Sequence, residues 1–177
     1  MRSLPGDERG VFATKDISAD DALVAVPFES LLTVVAPLSC TPALQGKAQL
    51  LCAALAKVSL EDDALALRLL FERFQAQETS RWSGHIAVLP ASYPHTLIEW
   101  PTEELAELKG SSVKVLAERW QEQVATDYVS LAALQVAKGK TLGEAFEWFR
   151  PETYRWALAT IWTRCVSVHV HTRSGGG

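Results

Sequence analysis

Basic residues are in short supply. The chain carries 17 lysines and arginines against 21 aspartates and glutamates, a formal net charge of -4. A nucleic-acid binder would normally present a basic face, and here the basic residues are scattered among acids. Cysteine is scarce as well: Cys40, Cys52 and Cys165 are odd in number and show no CxxC spacing. That argues against a disulfide framework. Cys52 and Cys165 fall inside apolar patterns, so they are expected as inert, buried thiols in a reducing compartment. No apolar run approaches the roughly 18 residues that a membrane span requires. Residues 1–6 lack the apolar stretch of a secretory signal, which leaves the cytoplasm or nucleus as the expected location. A plastid address stays open, because it is not legible in the chain.

What is present is an apolar content of 48% with 21% charged residues, the range of an ordinary globular domain with one core. The first 35 residues hold short apolar runs, Val11–Thr14, Leu23–Val26 and Leu31–Val35, each stopped by a polar turn or a proline. They read as strands buried on both faces. From about residue 45 the period changes. Ala48, Leu51, Cys52 and Leu55 recur at i, i+3, i+4 and i+7, the stripe of an amphipathic helix. Ser59 reads as the cap of a second helix whose first turn holds Glu61, Asp62 and Asp63. Its apolar set (Leu67, Leu70, Phe71, Phe74) is broad enough to make it central.

Residues 82–101 have no clean period and carry Pro90, Pro94 and Pro101, the pattern of a loop packed by aromatics. Thr102 then caps a short helix closed by Gly110. A long helix follows, with Val113, Leu116, Trp120, Val124, Tyr128 and Leu131 near one face until Gly139 interrupts it. Pro151 suits the first position of a last helix that buries Tyr154, Ala157, Leu158, Ile161 and Cys165. Val166, Val168 and Val170 then alternate with Ser167, His169 and His171, as in a half-buried strand, and 174–177 is a tail. The whole reads as α+β, with segments at 1–44, 45–150 and 151–177.

Four stretches in order carry a resemblance. They are Glu8-Arg9-Gly10 running on to Ile17, Trp82-Ser83-Gly84-His85-Ile86 running on to Pro90, Leu97-Ile98-Glu99-Trp100 with Glu103-Glu104-Leu105 and Leu108–Ser111, and Tyr154–Arg164. Over roughly residues 6–168 the chain resembles SET-domain protein methyltransferases. The similar subgroup is the one split by a long insertion, which includes Rubisco large-subunit lysine methyltransferases and actin-histidine methyltransferases. The resemblance implies a partial SET β-fold interrupted by a helical insertion. It also implies S-adenosylmethionine as cofactor and methylation of a protein side chain, most often lysine and occasionally histidine.

Residue by residue, it places Glu8, Arg9 and Gly10 at the family's Gly-x-Gly cofactor loop, with Glu8 where the first glycine often stands. Arg164 matches the arginine of its Ser/Thr-Arg pair. The plainer readings are a strand-entry turn at Gly10 and a helix C-terminal cation at Arg164. The family continues to an Asn-His pair and catalytic tyrosines. Tyr93, Tyr128 and Tyr154 do not map to these, so no catalytic residue is assigned within 1–177 and the chain alone is expected to be inactive or weak. No metal is implied: His169 and His171 are two residues apart, with His85 and His95 in distant loops. The tryptophans Trp120, Trp156 and Trp162 read as core. The rival reading is a non-catalytic interaction module whose helical insertion binds a protein.

Overall fold

The computed structural model describes residues 2–3, 9–10 and 12–166, in two compact units, Met1–Leu31 and Leu32–Gly177. Glu8, residues 167–171 of the strand expected from Val166 and the 174–177 tail lie outside the described residues; Val166 itself is exposed and in no strand.

In the first unit, β1 (Arg2–Ser3) and β2 (Arg9–Gly10) pair antiparallel, with Arg2 opposite Gly10 and Ser3 opposite Arg9. The runs at 23–26 and 31–35 form no strand. Leu23, Val24 and Val26 are exposed, at 71, 74 and 53%. This corrects the expectation of buried strands. A β-branched run becomes a strand only against a partner edge, and among the described residues 12–35 have none.

The second unit is mostly helical, so α+β holds with the helices dominant. Helix α1 (Gln45–Leu55) buries Ala48, Leu51 and Ala54, and Cys52 of the expected stripe is exposed. Helix α2 (Glu61–Phe71) begins after Leu60, with no side-chain cap from Ser59. Its three acids suit the positive end of the helix dipole. Leu67, Leu70 and Phe71 are fully buried. The helix runs on into a wider π turn, Glu72–Ala76, and stops at Gln77, whose φ of 49° is left-handed. Buried Glu72 accepts the Ser39 N–H at 2.8 Å, and Arg68 donates to the Ala36 carbonyl, so the 36–39 loop is tied to the end of α2.

Short helices α3 (Ser83–Ala87) and α4 (Thr102–Glu107) flank the proline-rich loop. Pro101, not Thr102, precedes α4, and Gly110 closes it at φ +83°. Helix α5 (Ser112–Ala132) is capped by the Ser111 hydroxyl, which accepts from Val113 N–H. It buries Ala117, Val124 and Leu131, spaced by seven. Val113, Leu116 and Trp120 are about 42% exposed, so the inward line is displaced from the expected stripe.

A hairpin follows, β3 (Gln135–Ala137) and β4 (Lys140–Thr141), turning at Lys138-Gly139 with Gly139 at φ +69°. Thr141 and Glu144 form a reciprocal capping box that starts α6 (Leu142–Ala145). Helix α7 (Pro151–Arg164) has proline in its first turn and is buried nearly all round: Tyr154, Trp156, Ala157, Leu158, Ala159, Thr160 and Ile161. Its packing on α2 is the most extensive contact between elements, and alanines at 66, 157 and 159 allow the close approach. Phe149, Tyr128 and Tyr154 form an aromatic cluster, which Trp148 links to Phe146. Among the described residues no helix is long and apolar enough to cross a membrane.

Candidate cofactor-contact residues

Of the four residues carried over from the resemblance, Arg9 and Gly10 lie in β2 of the first unit. Just downstream, Phe12–Lys15, Ile17 and Asp21 border a surface hollow of about 360 Å³. Gly10 has no side chain to keep a ligand off the backbone. Arg164 is the last residue of α7, in the second unit. Its guanidinium lies 5.0 Å from the centre of the Tyr93 ring, with Nη1 3.3 Å from the Thr163 hydroxyl. The residue is exposed, and no carboxylate pairs with it among the described residues. A cation held at an aromatic face with open access suits an anionic group such as a carboxylate.

Tyr93 belongs to a set of residues that sequence reasoning left as loop. Trp156 packs on Tyr93 at 6.5 Å, and its indole N–H donates to Pro90 O at 2.9 Å. The Arg73 guanidinium lies 3.8 Å from the Trp156 ring and 5.4 Å from Phe74. Burial lowers the Arg73 pKa from its ordinary value, yet a guanidinium stays charged there. The loop is held from two helices. Gln121 donates to Leu97 O and Trp100 O at 2.8 and 2.9 Å, and Arg155 faces Glu99 at 3.6 Å. The legible signal was the aromatic density of residues 82–100, which says that such a loop is packed but not against what.

The three tyrosines have different surroundings. Tyr154 is fully buried and donates to Asp63 Oδ1 at 2.5 Å. Burial, then the Asp63 carboxyl, push its pKa upward, so it is a structural donor. Tyr128 donates to Phe149 O at 3.3 Å. Tyr93 is 6% exposed and its hydroxyl has no hydrogen-bond partner among the described residues.

The three acids begin α2 as expected, and they divide between solvent and core: Glu61 and Asp62 are exposed, Asp63 is buried. Asp63 is 7% exposed, bound to Tyr154 91 residues away, and Asp62 accepts from the Trp162 indole at 2.8 Å. Spacing carried a signal: Asp63 precedes Leu67 by four and Leu70 by seven, on the buried stripe. Beside it, Lys57, Asp127 and Ser130 line a shallow depression of about 190 Å³.

Burial raises the Asp63 pKa above its ordinary 3.8, Tyr154's hydrogen bond lowers it, and the Asp127 and Asp62 charges add to the rise. A raised folded-state pKa means that this group favours folding below its unfolded value and loses that contribution as pH climbs through the folded one. Asp63→Asn keeps an acceptor for Tyr154 and removes the buried charge. Its melting temperature should exceed that of the wild type at pH 7, with the gap closing towards pH 4. A gap that widens on acidification would contradict the assignment.

Two further expectations need correction. All three cysteines are exposed, not buried. Cys165 follows the last turn of α7, where its side chain leaves the core; even so, desolvation and then Asp62 push its thiol pKa up, which keeps it in the less reactive form. Of the tryptophans, Trp156 is buried, whereas Trp120 and Trp162 pack against each other with rings tilted by 56° at 6.0 Å and are 42 and 44% exposed.

The chain is 27% identical to an actin-histidine N-methyltransferase of Drosophila melanogaster, over a 173-residue alignment covering 91% of this chain. The chain spans 30% of the length of that relative. No protein-family model matches the chain, and no solved structure does.

Proposed function

We propose that the chain is a segment of a split SET-domain protein methyltransferase, acting on a lysine or histidine side chain of a protein. The observation that carries this reading is collinearity. Similarity to a protein methyltransferase extends over 91% of the chain, and the four motif stretches fall along it in family order. S-adenosylmethionine, when bound, supplies the sulfonium methyl group. The residues proposed to contact it are Glu8, Arg9, Gly10 and Arg164. The backbone at Gly10 can be approached closely, and the Arg164 cation can hold a carboxylate. Both roles are binding and orientation, which are most of what an in-line methyl transfer asks of a protein. The catalytic tyrosine and Asn-His pair of that family have no counterpart in residues 1–177, so these residues alone are proposed to bind weakly and transfer little or no methyl.

Titration calorimetry of the 177-residue chain with S-adenosylmethionine tests the reading. Weak binding is expected, and Arg164→Ala should weaken it further by about 0.5–1 kcal/mol, the upper range for a solvent-exposed ion pair. Heat that is absent at millimolar cofactor would instead favour a second reading, a non-catalytic interaction module. One feature supports that alternative: Val113, Leu116, Trp120 and Trp162 leave apolar side chains on the outer surface.

A further inference from the structure

We propose that Tyr93 is a positioning residue for Arg164, its ring fixing the direction of the guanidinium at the end of α7. This rests on the reading of Arg164 as a ligand-facing cation. The side chains run in an alternating series: Arg164 at 5.0 Å from the Tyr93 ring, Tyr93 at 6.5 Å from Trp156, and Trp156 at 3.8 Å from the Arg73 guanidinium. Two cations thus stand at the ends of an aromatic pair, each attracted to the electron-rich face of a ring.

The platform itself is held from several sides. Trp156 is anchored by its bond to Pro90 O, and the Tyr93 carbonyl accepts from both the N–H and the hydroxyl of Thr96, at 3.0 and 2.8 Å. Gln121 secures the far end of the loop through Leu97 and Trp100. Arg164 is exposed, and a free arginine at a helix end would sample many rotamers. A cation already ordered by a ring does not have to be immobilised when an anion arrives.

The hydroxyl of Tyr93 takes no part. It is buried with no partner among the described residues, and it is the ring that meets Arg164. That distinguishes a platform from a reacting tyrosine, whose function would reside in its oxygen.

The test compares Tyr93→Phe with Tyr93→Met, which keeps bulk and loses the aromatic face. In the ¹⁵N-labelled chain, the Arg164 Nε–Hε resonance, identified by its loss in Arg164→Lys, should be shifted upfield by the ring. Tyr93→Phe should leave it in place and melt no lower than the wild type. Tyr93→Met should return it to the free-arginine position. A resonance at that position in the wild type, or one unmoved by Tyr93→Met, overturns the proposal; so does its loss in Tyr93→Phe, which remains decisive if the methionine variant does not fold. With S-adenosylmethionine, Tyr93→Met should weaken binding about two- to fivefold, the equivalent of one exposed cation–π contact. It should do nothing further in an Arg164→Ala background. An equal loss in that background would mean that Tyr93 does not act through Arg164. A wild-type chain that binds no cofactor would remove the functional reading of Arg164, and the resonance alone would then decide the positioning.

Discussion

Phe71→Ala should cost about 3–5 kcal/mol of stability, the range for removing a large aromatic from a packed core. Phe71 is fully buried at the C-terminal end of α2, edge-on to Phe146 at 6.5 Å. It therefore joins the α2–α7 core to the segment that follows α6. A loss this large is a sizeable share of the 5–15 kcal/mol typical of a whole domain. Chemical denaturation should show the midpoint moving sharply with little change in slope. A loss below about 1 kcal/mol would mean that the α2–α7 contact is not the centre of the core.

The second large effect is expected at Tyr154. Tyr154→Phe removes the donor to Asp63 and leaves a buried carboxylate without it, for about 1–3 kcal/mol, the usual penalty for stranding a buried polar group. The cost should depend on pH in a particular sense. Tyr154's hydrogen bond favours the ionised form of Asp63, since it lowers a pKa that burial has raised. Its loss hurts the charged state most, so the penalty should be larger at pH 7 than at pH 4. In an Asp63→Asn background the penalty should shrink, because no charge is then stranded. Equal penalties in both backgrounds would show that Tyr154 stabilises by packing alone.

These two sites also show where the sequence was informative. The apolar spacing around Leu67, Leu70 and Phe71 identified α2 as central, and Pro151 marked the start of α7. Both signals are local, set by the period of the helix and the geometry of its first turn. The Asp63–Tyr154 pair spans 91 residues, and no local pattern announces such a partner. The hairpin at 135–141 was missed for a different reason. Gly139 was read as the end of a helix, yet Lys138-Gly139 between the short runs Gln135–Ala137 and Lys140–Thr141 is a two-residue turn signal, and Thr141…Glu144 is a capping box.

In residues 12–35 the apolar runs were recognised, but burial depends on a partner edge that a run cannot specify. The candidate residues divide in the same way. Arg164 was picked out by motif, whereas its platform of Tyr93, Trp156 and Arg73 depends on a loop folding back onto two helices. No spacing rule encodes that arrangement.

The most direct measurement is ultraviolet cross-linking of radiolabelled S-adenosylmethionine to the chain, followed by peptide mapping. Label on peptides containing residues 8–17 and 154–166, displaced by excess unlabelled cofactor, is the predicted result. Label that is absent, undisplaced, or confined to residues 45–150 would contradict the proposal that the motif-bearing segments contact the methyl donor.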